Sequence, residues 1–145
     1  MTSWVVCDSG IVLATVLIEP SSAQAKALLR LWHDQNNQLA APSLFRYEIV
    51  AVVRKYVHRG VLTPDAGVRM RDLLLAEPLQ LMMDDDLLRR GYELATRFNR
   101  PTAYDAQYLA VAERLQCEFW TTDERLFNAV KQDLAWVKWL GDFTP

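Results

Sequence analysis

The chain has 145 residues, of which 51% are hydrophobic and 23% charged, and its formal net charge is −2. This balance predicts one globular domain over residues 1–145, and no stretch approaches the roughly 18 uninterrupted apolar residues of a membrane span. The N-terminal sequence lacks the basic start of a secretory signal peptide, so we expect a soluble cytoplasmic protein that does not interact with a membrane.

Short apolar runs alternate with longer amphipathic segments along the chain. The runs have the pattern of buried strands and fall at residues 3–8, 38–42, 79–83, 117–122 and 135–140. The longer segments have helical spacing and fall at residues 21–35, 43–60, 63–78, 84–99, 102–116 and 123–132. Strands separated by helices predict an α/β fold, with a mainly parallel five-stranded sheet and helices on both faces.

Residues at the predicted helix ends agree with this assignment. Ser43 and Thr63 are placed to cap two helices at their N-termini, and Pro64 suits the first helical position. Gly60 suits the end of a helix. The acidic residues 84–86 are explained in the same way, as a cap and first-turn acids that the helix dipole favours.

Cysteine and histidine give no sign of a metal site. Cys7 and Cys117 are far apart and show no CxxC spacing, so we expect free thiols rather than a zinc site or a disulfide. His33 and His58 lack the HExxH spacing of a zinc hydrolase, and we expect both on the surface.

Three isolated acids stand at the starts of helices, where capping is a sufficient explanation for each one alone. Asp8 follows the first strand and could cap the next helix. Asp105 lies in the first turn of its helix and could complete a capping box with Thr102. Asp123 follows the fourth strand beside a Thr-x-x-Glu capping box.

Glu48 is harder to explain, because the helix around it is apolar nearly all round. An unpaired carboxylate in such a setting loses its hydration, so it is normally paired or bound to a metal. The alternatives are an ion pair with Arg46 or Arg54, or an exposed position.

The joint placement of the four acids is more informative than any one of them. Asp8, Glu48 and Asp123 fall at the carboxyl edge of the predicted sheet, where ligands bind at the point of topological reversal. Asp105 joins them if its helix packs with the N-terminus toward that edge. Four crowded carboxylates repel one another, whereas one or two Mg²⁺ or Mn²⁺ ions would be held by them and could hydrolyse a phosphodiester. Setting these acids aside leaves 16 basic against 14 acidic residues, which permits a nucleic-acid substrate.

Four motifs carry the four acids in turn: VVCDSGIVLATVL, PSLFRYEIVAVVRK, TAYDAQYLAVAERL and FWTTDERL. In this order they resemble the PIN domain family of metal-dependent ribonucleases, in particular VapC-like toxins of bacterial toxin–antitoxin pairs. The resemblance covers nearly the whole chain.

The resemblance implies a three-layer α/β/α sandwich, one or two Mg²⁺ or Mn²⁺ ions, and endonucleolytic cleavage of single-stranded RNA. Asp8, Glu48, Asp105 and Asp123 would be the catalytic and metal-binding residues, with Ser9 and Thr121 as supporting polar residues. It also implies a homodimer that is silenced by a cognate VapB-like antitoxin. That partner would bury an apolar segment and direct a basic residue at the acids.

Two alternatives belong to other functional classes. A catalytically inactive PIN-fold module that binds RNA or protein would keep the scaffold without the chemistry. A phosphatase or receiver-like phosphoacceptor would need a DxD motif or an acidic pair after the first strand, and the sequence CDSG at residues 7–10 offers neither.

Overall fold

A computed structural model describes residues 3–145. Residues 1 and 2, the start of the predicted domain, lie outside the described residues. The strands are β1 (Ser3–Cys7), β2 (Asn37–Pro42), β3 (Gln80–Met82), β4 (Phe119–Thr121) and β5 (Val137–Trp139). The helices are α1 (Ser9–Val16), α2 (Ser22–Asp34), α3 (Leu44–His58), α4 (Pro64–Leu75), α5 (Asp85–Arg97), α6 (Tyr104–Leu115) and α7 (Glu124–Val130), and a 3₁₀ helix spans Leu140–Asp142.

The five strands form one sheet in the order β3-β2-β1-β4-β5, and every neighbouring pair is parallel. The chain builds the sheet outward from β1 to β3 on one side, and then returns to add β4 and β5 on the other. The order therefore reverses between β1 and β4, which makes the carboxyl ends of these two strands the topological switch point.

Side chains of β4 alternate between the two faces of the sheet, as the period of a strand requires. Phe119 stacks on Tyr108 of α6, with ring centroids 5.6 Å apart. Trp120 meets Trp32 of α2 edge to face at 6.4 Å. Helices α2 and α6 thus cover opposite faces, α1 packs on α2 and α3, and α5 packs on α6. The predicted α/β/α sandwich with a parallel sheet is confirmed.

The capping predictions are partly confirmed. The Thr63 side chain accepts the backbone N–H of Ala66, and Pro64 opens the helix. Gly60 follows α3 with a φ of 75°, a left-handed conformation that glycine adopts without strain. Ser43 occupies the predicted N-cap position of α3, but its side chain makes no capping hydrogen bond and its backbone is already helical. Asp84 caps α5 by accepting the backbone N–H of Leu87 at 2.8 Å.

Both cysteines are free, with Cys7 buried and Cys117 half-buried. The expected exposure of His33 and His58 is confirmed. Among residues 3–145, no helix has the length and apolar character needed to span a membrane.

Candidate active site

A cavity of about 260 Å³ opens at the switch point of the sheet. The four acids and both supporting residues predicted from the sequence line it: Asp8, Ser9, Glu48, Asp105, Thr121 and Asp123. A larger cavity of about 480 Å³ lies at the opposite edge, near the starts of β2 and β3, and its lining contains a single carboxylate, Glu77. The four converging acids therefore distinguish the smaller cavity from the larger one. The catalytic roles of these acids stay a prediction.

Asp8 is the most firmly held of the four acids. It caps α1, with Oδ1 accepting the backbone N–H of Ile11 at 3.1 Å. Its Oδ2 accepts the hydroxyl of Thr121 at 2.6 Å and the backbone N–H of Thr122 at 3.0 Å. Burial raises the pKa of Asp8, and these hydrogen bonds oppose the rise. The side chain of Asp8 thus caps α1 and lines the cavity at the same time.

Gly10 allows the start of α1 to approach the turn after β4 closely. A Cβ at this position would lie 2.3 Å from the side-chain oxygen of Thr122 and 3.3 Å from Oδ1 of Asp8. The glycine two residues after Asp8 therefore keeps room for the hydrogen bonds that fix this carboxylate.

Thr121 connects two of the acids through one buried hydroxyl. This hydroxyl donates to Asp8 and accepts the backbone N–H of Asp123 at 2.9 Å. Asp123 itself caps α7 by accepting the backbone N–H of Leu126 at 3.1 Å. The capping box expected from Thr121 and Glu124 is wrong, because Asp123 occupies the cap position between them.

Glu48 lies in the second turn of α3 and is half-buried. Its Oε1 accepts the hydroxyl of Tyr108 at 2.5 Å. The alternative ion pairs do not form, because Arg46 donates instead to the backbone oxygen of Leu75 at 3.0 Å and Arg54 is exposed. A tyrosine on another helix is thus the partner that this carboxylate needs.

The pKa of Glu48 is raised by burial. The hydrogen bond from Tyr108 opposes this rise, and repulsion from Asp8 and Asp105 adds to it. Burial and the Glu48 carboxylate raise the pKa of Tyr108 well above its ordinary value, so its hydroxyl remains a donor at neutral pH.

Asp105 occupies the first turn of α6, but it does not take part in a capping box. The N-cap residue is Ala103, and no side chain caps this helix, so the pairing predicted with Thr102 is wrong. Asp105 accepts no hydrogen bond from any residue in the described range, and Nη2 of Arg100 lies 3.8 Å from its Oδ2. Burial raises the pKa of Asp105, repulsion from Asp123 adds to the rise, and Arg100 opposes it.

Two ion pairs hold the helix that carries Asp105. Arg90 of α5 donates to both oxygens of Glu113, at 2.6 and 3.0 Å. Arg114 pairs in the same two-pronged way with Asp84 and lowers the pKa of Asp84 to about 2. These contacts join the C-terminal half of α6 to α5, while its first turn faces the cavity.

The donor set fits a hard divalent cation in its chemistry and charge. All four acids offer oxygen ligands, which Mg²⁺ and Mn²⁺ prefer, and a cation would relieve the repulsion among them. In the described part of the chain, no three acidic, histidine or cysteine side chains are grouped closely enough to enclose an ion as they stand. Mg²⁺ does not require this, since it usually keeps several waters and binds one or two carboxylates directly.

Sequence reasoning missed Tyr108, Thr122 and Arg100. Tyr108 follows Asp105 by three residues on α6, which is the spacing of one helical turn. That spacing indicated a residue near the site, but not that it would contact Glu48. Thr122 lies next to Thr121, a predicted supporting residue. The shorter of the two hydrogen bonds from Thr122 to Asp8 comes from the backbone N–H of Thr122, and a sequence pattern does not mark backbone groups.

The pattern of the PIN domain family matches residues 5–132, and the chain belongs to this family. Among curated proteins, ribonuclease VapC3 of Pyrobaculum aerophilum is 28% identical over 123 residues, covering 83% of this chain and 90% of that protein.

Two solved structures share the fold. A toxin–antitoxin complex from Klebsiella pneumoniae has a TM-score of 0.65 and 19% identity, covering 92% of this chain and 94% of that one. The crystal structure of PAE2754 from P. aerophilum has a TM-score of 0.64 and 21% identity, covering 89% and 87%. The resemblance derived from the four motifs is therefore confirmed at the level of the family.

Proposed function

We propose that this protein is a Mg²⁺- or Mn²⁺-dependent endoribonuclease that cleaves single-stranded RNA and acts as the toxin of a toxin–antitoxin pair. The observation that carries the proposal is the convergence of Asp8, Glu48, Asp105 and Asp123 on one cavity at the switch point of the sheet. Membership of the PIN domain family and the similarity to ribonuclease VapC3 support it.

The four acids would hold one or two divalent cations. When bound, such cations supply an activated water and positive charge for the oxygens of a phosphodiester. Asp8 would be a fixed ligand, because four hydrogen bonds from three residues restrict its carboxylate. Asp105 would be the adaptable one, since it accepts no hydrogen bond from residues 3–145.

The remaining residues of the cavity hold these ligands in place. Tyr108 orients Glu48 and stays protonated, and Thr121 fixes Asp8 relative to Asp123. Supporting hydrogen bonds of this kind orient ligating carboxylates and strengthen metal binding. Ser9 is buried at the start of α1, and its hydroxyl opposes the rise in the pKa of Glu48.

The proposal includes two protein partners, a VapB-like antitoxin and a second copy of the chain. Apolar side chains on α3 support such contacts: Tyr47 is 78% exposed and Val50, one turn later, is 41% exposed, and both line one shallow depression of the surface. Exposed apolar groups that cluster on a surface indicate protein interaction sites. Sedimentation equilibrium tests the dimer, and co-expression with a candidate antitoxin tests the inhibition of RNA cleavage.

The deciding experiment compares RNA hydrolysis by the wild type with that of Asp8→Asn and Asp105→Asn in Mn²⁺. We expect both variants to lose activity while circular dichroism shows an intact fold. Asp86→Asn is the matched control, because Asp86 is an exposed acid on α5 away from the cavity, and it should retain activity. Hydrolysis by Asp105→Asn at the wild-type rate would refute the proposal.

An inactive binding module is the second candidate, and metal binding separates the two. Calorimetry on the wild type should show uptake of Mn²⁺ near neutral pH. A protein that binds RNA but takes up no Mn²⁺ and cleaves nothing would be the inactive module instead.

A further inference from the structure

Arg100 lies beside the acid cavity without belonging to its lining. Its Nη2 is 3.8 Å from Oδ2 of Asp105, and its side chain is only 18% exposed. This distance is that of a loose ion pair and exceeds the length of a hydrogen bond. The guanidinium is therefore near a carboxylate that does not satisfy its donors.

A comparison with the other half-buried arginines shows how unusual this is. Arg90 donates from Nε and Nη2 to Glu113 and from Nη1 to Glu93. Arg46 donates to a backbone oxygen, although its own Nε has no partner. Arg100 donates no side-chain hydrogen bond to any residue in the range 3–145, and its Nε is buried without a partner. A guanidinium has five N–H donors. Leaving buried donors unpaired costs free energy, so such a group calls for an explanation, such as a ligand that completes its hydrogen bonds.

The backbone holds Arg100 rigidly at this place. Asn99 adopts a left-handed conformation with a φ of 52° at the end of α5. The backbone N–H of Asn99 donates to Thr96 at 3.2 Å, and that of Arg100 donates to Ala95 at 2.8 Å. These two bonds form a Schellman motif, and Pro101 follows at once. Hydrogen bonds and the following proline therefore fix the backbone that carries this side chain.

We propose that Arg100 binds a phosphate oxygen of the RNA backbone next to Asp105, an inference that rests on the proposed ribonuclease function. The planar fork of a guanidinium matches the oxygens of a phosphodiester, and such charge-assisted bonds are among the strongest hydrogen bonds. The substrate would bring this anion to the rim of the acid cavity. Arg100 is then a substrate-binding cation beside four carboxylates that alone would repel RNA.

The test measures RNA binding and metal binding separately in Arg100→Gln and Arg100→Lys. Fluorescence anisotropy with a labelled single-stranded RNA is recorded at several salt concentrations, with Ca²⁺ replacing Mg²⁺ to slow hydrolysis. Arg100→Gln should weaken RNA binding about tenfold or more and reduce the slope of log affinity against log salt by about 0.7, the value for one phosphate contact on a single strand. Arg100→Lys keeps the charge but loses the fork, so its affinity should be intermediate.

Calorimetry with Mn²⁺ distinguishes this role from mere support of Asp105. Removing a cation near the metal ligands should leave Mn²⁺ affinity unchanged or increase it, whereas loss of a support would decrease it. Arg97→Gln is the matched control, because Arg97 is an exposed arginine three residues earlier that lies over the ring of Phe98. Its RNA affinity and salt dependence should equal those of the wild type.

Wild-type RNA affinity and salt slope in Arg100→Gln would overturn the inference while leaving the ribonuclease proposal intact. Weaker Mn²⁺ binding with an unchanged salt slope would also overturn it, and would assign Arg100 to the support of Asp105. If Arg100→Gln fails to fold, Arg100→Lys decides by affinity alone, and wild-type RNA affinity in that variant would overturn the inference. A wild type that neither binds nor cleaves RNA would remove the proposed function and this inference together.

Discussion

Replacing Tyr108 by Phe isolates the hydrogen bond that orients Glu48. Tyr108 is 2% exposed and stacks on Phe119, and a phenylalanine keeps both the burial and the stacking. The substitution removes only the hydroxyl that donates to Glu48 at 2.5 Å. Its effect on stability therefore reports the contribution of this one bond.

The expected loss follows from the charge and the exposure of Glu48. A hydrogen bond to a charged group contributes about 1.5–3 kcal/mol. Because Glu48 is half-buried and keeps part of its hydration, the lower end of this range applies, about 1.5 kcal/mol. At roughly 4 °C per kcal/mol for a domain of this size, Tm should fall by about 6 °C.

Urea denaturation of Tyr108→Phe, Glu48→Gln and the double variant forms a double-mutant cycle. The loss caused by Tyr108→Phe should shrink in the Glu48→Gln background, since a neutral amide is a weaker acceptor. Tyr104→Phe, which alters a tyrosine that is 68% exposed on the same helix, should change stability very little. An equal loss in both backgrounds would mean that the hydroxyl does not act on Glu48.

Three further predictions concern metal, pH and salt. Mn²⁺ at a hundred times its Kd should stabilise the wild type by about 2.7 kcal/mol in thermal melts, and Asp105→Asn should lose most of this gain. Burial raises the folded-state pKa of Glu48, so the folded protein favours the protonated carboxyl. The contribution of this carboxyl to folding stability is therefore complete below the unfolded pKa, near pH 4.3, and is lost as pH rises through the folded pKa. Without metal, Glu48→Gln should therefore be more stable than the wild type at pH 7, and this advantage should disappear near pH 4 in urea titrations. Glu113→Gln breaks the ion pair with Arg90, in which the side chains of Glu113 and Arg90 are 38% and 39% exposed. The substitution should lower the free energy of unfolding by about 1 kcal/mol or less, and 1 M NaCl should reduce this loss.

Each of these predictions has a result that contradicts it. The Mn²⁺ effect is specific only if the control Asp86→Asn keeps the full gain in Tm. A stability difference between Glu48→Gln and the wild type that is the same at pH 4 and pH 7 would show that ionisation of Glu48 is not its cause. A loss in Glu113→Gln that salt leaves unchanged would assign the contribution of the pair to packing instead of charge.

The parallel sheet and the location of the candidate site follow from patterns that the sequence displays, whereas the order of the strands does not. Short apolar runs mark the strands, and the predicted strand boundaries lie within two residues of the observed ones. The helices predicted from spacing do not include α1. Its residues Ile11, Val12, Leu13 and Ala14 are all buried, and a helix surrounded by core shows no apolar period. Periodicity identifies helices that have a solvent side, and α1 has almost none.

The hydrogen-bond partner of Glu48 could not be predicted from neighbouring residues in the sequence. Arg46 and Arg54 are near Glu48 in sequence, but residues two or six apart on a helix point in different directions. The actual partner, Tyr108, is separated from Glu48 by 60 residues. The orientation of α6 was equally hidden, because two consecutive helices join β3 to β4 and the alternation of strands and helices does not fix the direction of the second.

The shared hydroxyl of Thr121 has a consequence for motion at the carboxyl edge of the sheet. Its oxygen serves the start of α1 and the start of α7 at once, so neither segment can swing away without disturbing the other. The two segments should therefore open together and not independently. Amide hydrogens of Thr122 and Asp123 would then exchange with solvent in one joint opening event, with the same protection and the same dependence on urea.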